Sequence, residues 1–300
     1  MSSDGTRVAI GAYRNDGNGS NSGHVRVYAE SGGTWTKVGQ DINGEAAGDQ
    51  SGLSVSMSSD GTRVAIGASR NNGTGSSAGH VRVYRDSGYM GWAKVGLDID
   101  GEAAFDNSGY SVSMSSDGTR VAIGASGNDA NGNNSGHVRV YSESGGTWTK
   151  VGQDIDGDTF YDNSGWSVSM SSDGTRVAIG APYNDPYNAG HVRVYAESGG
   201  TWTKVGQDID GETFFDQSGW SVSMSSDGTR VAIGATGNDA NGNSSGHVRV
   251  YAESGGTWTQ VESDIDGEAA SDQSGFSVSM SSDGTRVAIG ADGNDGTGSA

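Results

Sequence analysis

The chain has 300 residues and a formal charge of −19, from 37 acidic against 18 basic side chains. A surface of that sign repels phosphate backbones and anionic lipid heads, which argues against nucleic acid as a partner, and no apolar run is long enough to suggest membrane insertion. There is no cysteine, so disulfides and thiolate metal sites are excluded.

Leu, Ile, Val and Phe make up only 44 of the 300 residues, a composition that at this charge would indicate disorder. Their placement argues otherwise, because they stand at alternate positions in segments that recur along the whole chain. Met-Ser-Ser-Asp-Gly-Thr-Arg-Val-Ala-Ile-Gly-Ala begins at Met1, Met57, Met114, Met170, Met224 and Met280, at spacings of 56, 57, 56, 54 and 56 residues. One unit is therefore repeated about five times over residues 1–300, with a partial copy from 280. The chain opens in mid-repeat, as a piece of a longer repeat protein would.

Each unit reads as four short strands with period two. In the unit around Trp166, the first runs from Gly165 to Ser171, with Trp166, Val168 and Met170 on one side. Ser172-Asp173-Gly174-Thr175 is a hairpin turn, and the second strand follows from Arg176 to Ala181. A loop rich in Asn, Asp and Gly leads to the third strand, which in the preceding unit is His137–Tyr141. Glu143-Ser144-Gly145-Gly146 then turns into the fourth, Thr147–Gly152, and Asp154-Ile155-Asp156-Gly157 links to the next unit. No helical period appears. The fold class is all-β, a β-propeller of four-stranded antiparallel blades. Strand counting favours five blades, with Gly275–Ser281 completing the N-terminal blade and closing the ring.

These residues resemble FG-GAP repeats, the blades of integrin-α-type propellers. Ser164-Gly165-Trp166-Ser167-Val168 is similar to the Phe-Gly-x-Ser-Val element, and Ile179-Gly180-Ala181-Pro182 to the Gly-Ala-Pro element. Gly190–Tyr195 resembles the strand that follows, and the Asp-Gly turn also resembles WD40-like blades. Family blades often hold Ca²⁺ in an Asp-rich hairpin between the first two strands. Here that hairpin is Ser-Ser-Asp-Gly-Thr, so that site is not carried over. The resemblance implies extracellular or cell-surface recognition.

Two sets of candidate residues follow from comparing the copies. In such a blade the 2–3 loops and inter-blade links share one face of the ring, and that face is where the copies differ. Loop positions read Tyr13-Arg14, Ser69-Arg70, Ser126-Gly127, Pro182-Tyr183 and Thr236-Gly237, and the position after Ser-Gly reads Leu53, Tyr110, Trp166, Trp220 and Phe276. Aromatic residues on loops held by a rigid scaffold are good anchors, so Tyr110, Phe160, Tyr161, Trp166, Tyr183, Phe214, Phe215 and Trp220 form the candidate ligand-binding face. Their alternative role is packing between blades.

Alternating carboxylates before a turn suit Ca²⁺, which makes Asp154, Asp156, Asp208, Asp210, Asp264 and Asp266 candidate metal ligands, with ordinary turn chemistry as the alternative. His24, His80, His137, His191 and His247 share one repeat position and read as hydrogen-bonding residues of the third strand. Trp35, Trp92, Trp148, Trp202 and Trp258 read as blade packing. No nucleophile elbow, phosphate loop or zinc-helix motif is present, and near-identical repeats lack the asymmetry of a catalytic centre. The expected function is a non-enzymatic scaffold binding a protein partner through the variable face. A lectin-like propeller for carbohydrate and a Ca²⁺-assisted adhesion module are the alternatives, a propeller hydrolase comes third because the repeats are so alike, and no obligatory cofactor is expected.

Overall fold

A computed structural model describes residues 1–184 and 188–295. The described residues form repeated antiparallel sheets with chain-order strands, and no α-helix occurs among them. In one complete blade Ser111–Met114 pairs with Arg120–Ala125, which pairs with His137–Ser144, which pairs with Thr147–Lys150. The predicted second strand is found at its predicted bounds, because the Asp-Gly hairpin fixes its start. In the next repeat the Asp173 carboxylate accepts from the Ser171 hydroxyl at 2.7 Å and the Thr175 N–H at 2.9 Å, while Gly174 takes the left-handed conformation at φ +72°.

The third strand is longer than the sequence pattern indicates, and the fourth is in two pieces. Ile155–Asp156, read as a link, pairs back onto His137–Val138. Between the pieces Gly152 turns at φ +73° against Gly200 and Trp202 of the following blade. A side chain there would collide with both, so glycine sets the close approach.

Both faces of the second strand are buried, as a sheet stacked between two others requires: Val177 and Ala178 are fully buried and Ile179 nearly so. The apolar clusters accordingly lie between blades. One gathers Val138, Val140 and Ile155 of one repeat with Met170, Val177, Ile179 and Trp202 of the next. A set of polar locks repeats at the same interfaces. The Arg120 guanidinium donates to Gly174 O at 3.1 Å and Glu197 at 3.0 Å, and the Trp202 indole N–H donates to Val151 O at 2.8 Å. Ser116 N–H donates to Ser172 O at 2.8 Å. The predicted packing role of the tryptophans holds at Trp92, Trp202 and Trp258, which are 3–5% exposed.

Successive first strands pack on one another, which places them innermost, as expected for a β-propeller. Four complete blades are flanked by a first sheet, Arg7–Ala12 with His24–Ser31, Thr34–Lys37 and Ile42–Asn43, and by a final pair, Ser274–Met280 with Val287–Ala291. The expected closure is not the pairing found: Ser274–Met280 bonds the strand that follows it rather than Arg7–Ala12. A local hairpin, turned by Ser281 N–H to Arg286 O at 2.9 Å, closes a far shorter loop than pairing across the whole chain. The first sheet consequently keeps an open face, with Ile10 50% exposed where Ile66, Ile123, Ile179 and Ile233 are 2% exposed.

Candidate functional site

The site is assembled where each first strand begins. Gly180 and Gly219, on neighbouring blades, approach so closely that a Cβ on Gly180 would lie 2.1 Å from Gly219 O. Ser167 Oγ donates to that same carbonyl at 2.8 Å. This contact recurs between blades and fixes the spacing of the residue that follows each inner glycine. The result is a row of rings. Tyr110 and Trp166 are 4.6 Å apart between centroids, Trp166 and Trp220 5.0 Å, and Trp220 and Phe276 5.8 Å. Tyr183 stands edge-on to Trp166 at 5.4 Å and to Trp220 at 6.4 Å. Burial in this cluster pushes the Tyr110 phenol up to about 12, with Tyr183 as the nearby titrating group.

Four of the predicted aromatic residues, Tyr110, Trp166, Tyr183 and Trp220, are thus brought together. Of the other four, Phe215 shares a cavity lining with Tyr183 and Trp220. Phe160, Tyr161, Phe214 and Phe215 lie on the inter-blade links and are 57–61% exposed. Phe160 leans over Gly132, and the Tyr161 hydroxyl accepts from the Asn133 amide at 3.1 Å. Tyr161 and Phe215 adopt left-handed backbone, φ +65° and +70°.

At one end of the row lies a cavity of about 380 Å³ whose lining includes Tyr110 and Trp166 on one side and Tyr13, Arg14, Gln50 and Arg70 on another. Asn107 and Asn163 complete its polar wall. A second cavity of about 520 Å³, lined by Tyr183, Phe215, Gln217, Trp220 and Gln273 among others, lies at the other end. The amides had escaped the sequence reading. Gln50, Asn107, Asn163, Gln217 and Gln273 all occupy the position before Ser-Gly and all have left-handed backbone, with φ from +53° to +58°. An amide recurring at one turn position was the available signal, since Asn tolerates that conformation better than most residues. Asn163 donates one amide N–H to Ser126 O at 3.0 Å and Asn107 one to Phe105 O at 2.9 Å, which orients both and leaves each a second N–H.

The candidate metal ligands lie elsewhere, against the start of the third strands. Asp154 accepts from Arg139 at 3.0 and 2.6 Å and from Lys150 at 2.6 Å, and burial offset by these bonds holds its carboxyl at about 2. Asp208 is held below the ordinary range by Arg193, which donates at 2.6 Å, and then by Lys204, also at 2.6 Å. Asp264 lies 3.3 Å from Arg249 Nε. Asp156 and Asp210 are the opposite case, pushed up by burial, and Asp156 Oδ1 sits 4.0 Å from His137 Nδ1. Asp266 is exposed at the link.

Four carboxylate–histidine trios are found among the described residues, three of them between blades, for example Glu102, His137 and Asp154. In three of them an arginine already spans the carboxylates, as Arg139 reaches both Glu102 and Asp154, and in the His191, Asp208 and Asp210 trio Arg193 holds Asp208. A guanidinium in that place braces and neutralises the acids and competes directly with a cation for the same oxygens. The five histidines are buried beside these braces, and burial followed by the neighbouring arginine lowers His191 to about 4.

Comparison with known proteins places this geometry. A periplasmic gluconolactonase from Pseudomonas aeruginosa superposes with a TM-score of 0.64 and 17% identity, covering 97% of this chain and 77% of that one. A protein proposed to be a 6-phosphogluconolactonase, from Bacteroides uniformis, superposes with a TM-score of 0.51 and 11% identity, covering 95% and 88%. No curated protein matches the chain by sequence. Both structural neighbours bear the names of enzymes, which corrects the expectation of a non-enzymatic scaffold together with its lectin-like and adhesion variants. The argument behind that expectation also fails on the structure, because near-identical repeats do converge different residues on one cavity. At the level of the repeat, residues 98–141 and 209–251 match the FG-GAP repeat, and the recurring antiparallel sheets are those of a β-propeller.

Proposed function

We propose that the protein is a hydrolase of cyclic esters, acting on a sugar lactone in the cavity beside Tyr110 and Trp166. The observation that carries this reading is the two-sided lining of that cavity. Rings from two blades stand beside the oriented amides of their own turns, Asn107 and Asn163, and meet Arg14 and Arg70 from the two preceding repeats. An aromatic face takes the C–H side of a sugar ring, while amide N–H groups take its oxygens. The likeness to the two lactonases supports the reading at the level of fold.

In the reaction water adds to the lactone carbonyl, the ring C–O bond breaks, and a carboxylate and a hydroxyl result. The water gives one proton to the ring oxygen as it leaves, and the new acid loses its other to solvent. Negative charge grows on the carbonyl oxygen, and the free N–H groups of Asn107 and Asn163 are pre-oriented donors for it. No carboxylate lines the cavity, so catalysis here is by positioning and electrostatic stabilisation rather than by a general base. Loss of one such donor lowers turnover by roughly 100-fold or more in sites of this kind.

Acid release from glucono-δ-lactone, followed at constant pH against the spontaneous rate, tests the reading. The account predicts acceleration by the purified chain, a clear fall in kcat for Asn163→Ala, and a raised KM for Trp166→Ala. A rate no faster than the spontaneous one overturns it.

A further inference from the structure

The protein carries 37 acidic side chains against 18 basic ones, so an unpaired cation is unexpected. The lysines are all committed, each bonded to an aspartate four residues on. Most arginines are committed as well, either in the inter-blade locks, as Arg63 and Arg176 are, or in the braces, as Arg82 and Arg193 are. Among the described residues only Arg14, Arg70, Arg85 and Arg286 have no side-chain hydrogen bond or ion pair. Two of these four line the same cavity.

Arg14 and Arg70 occupy one repeat position on neighbouring blades, where the later copies have Gly127, Tyr183 and Gly237. Arg14 rests its guanidinium over the Tyr13 ring, 5.2 Å from the centroid, which restricts it without satisfying its donors. Both side chains are exposed to solvent at the cavity mouth, and no lining residue is acidic. Keeping two like charges at one cavity, unneutralised by a surplus of acids, leaves fork-shaped donors of the kind that suits an oxyanion.

We propose that Arg14 and Arg70 form an anion subsite and that the substrate is an anionic lactone, carrying a phosphate or carboxylate outside the ring that opens. This rests on the lactonase reading for the reaction but not for the binding. The two sides of the cavity then have separate tasks. The arginines fix the charged substituent, Tyr110 and Trp166 support the ring, and the carbonyl is turned toward Asn107 and Asn163. The subsite also offsets the repulsion that a charge of −19 imposes on any approaching anion.

The test is a calorimetric titration of inorganic phosphate into the full chain, repeated with the Arg14→Gln/Arg70→Gln double variant and with Arg85→Gln/Arg286→Gln. The proposal predicts one saturable site that weakens at high salt, at least tenfold loss in the first variant, and no change in the second. Melting curves of all three proteins show that the fold is intact. Phosphate binding that is absent, or that survives in the Arg14/Arg70 variant, overturns the subsite, whether or not lactone is hydrolysed. Where the subsite is present, comparing kcat/KM for a phosphorylated, a carboxylated and a neutral lactone shows which anion it takes. The ratio of the preferred anionic to the neutral lactone falls at least tenfold in the Arg14/Arg70 variant. An unchanged ratio overturns the substrate class, and arginine-dependent phosphate binding with no turnover of any lactone overturns the hydrolase reading alone.

Discussion

Single residues in this protein carry roles set by what surrounds them rather than by their type. His191 is buried next to Arg193, which makes its charged form unfavourable and lowers it to about 4 from an ordinary 6.5. The other four histidines are shifted in the same direction, with burial as the largest cause. A base whose folded pKa is depressed lends stability above its unfolded pKa and loses it as pH falls through the folded one. Between pH 6.5 and about 4, therefore, the unfolded chain binds protons the folded one refuses. For His191 alone the full difference is about 3 kcal/mol.

Asp98 and Asp154 stay ionised through that window, since their carboxyls are held at about 2. Asp156 and Asp210 are shifted upward by burial and work in the opposite sense. Urea midpoints measured from pH 7 to pH 4.5 are expected to fall steadily, and less steeply in His191→Gln. A flat profile would show that the imidazoles are not held neutral.

At the scale of the element, each blade meets the next through a small number of repeated contacts, and one interface lacks one of them. The Gln153 amide donates to Trp202 O at 2.7 Å and accepts from Trp202 N–H at 3.1 Å, and Gln207 does the same for Trp258 at 2.6 and 3.1 Å. Gln40 repeats the arrangement on Trp92. The equivalent residue before the third blade is Leu97, which is 83% exposed and makes no such bond. Trp148 beside it is half-buried where Trp202 and Trp258 are 3% exposed. Leu97→Gln is expected to restore the clamp and raise stability by about 1 kcal/mol, since it adds two hydrogen bonds while giving up little apolar burial. A melting temperature at or below that of the parent chain would contradict this.

Most of the blade was legible in the sequence because its signals are local. The Asp-Gly hairpin, the period-two runs and the recurring tryptophans each have one physical solution, and copying them six times removed ambiguity. The broken fourth strand was not legible, because its second piece, Ile155–Asp156, is only two residues long and is held by His137–Val138 rather than by its own pattern. Ring closure was misread for a related reason: strand counting weighs every pairing alike, whereas Ser274–Met280 has a partner one turn away.

Over the whole molecule the informative feature is departure from repetition. The repeat builds an array whose interfaces are alike, and the copies differ on one face, where the proposed site lies. The sequence picks Tyr110, Trp166, Tyr183 and Trp220 on that face, and the fold brings these four rings together. It also picks the link aromatics, because exposure and loop position look the same in sequence whether a ring joins the axial row or stands at the link on left-handed backbone, as Tyr161 does. The amides and arginines went unselected because polar turn residues are common, and only the fold shows five of them meeting Tyr110 and Trp166 around one cavity.

The central claim is that this cavity is where the protein meets its substrate. Hydrogen–deuterium exchange of the full chain, with and without saturating gluconate, tests the location directly and does not depend on turnover. The account predicts added protection in the segments that line the cavity, around Arg14, Gln50–Leu53, Arg70, Asn107–Tyr110 and Asn163–Trp166. Protection confined to the opposite face, at the Glu-Ser-Gly-Gly turns near Gly145 and Gly199, or none anywhere, would contradict it.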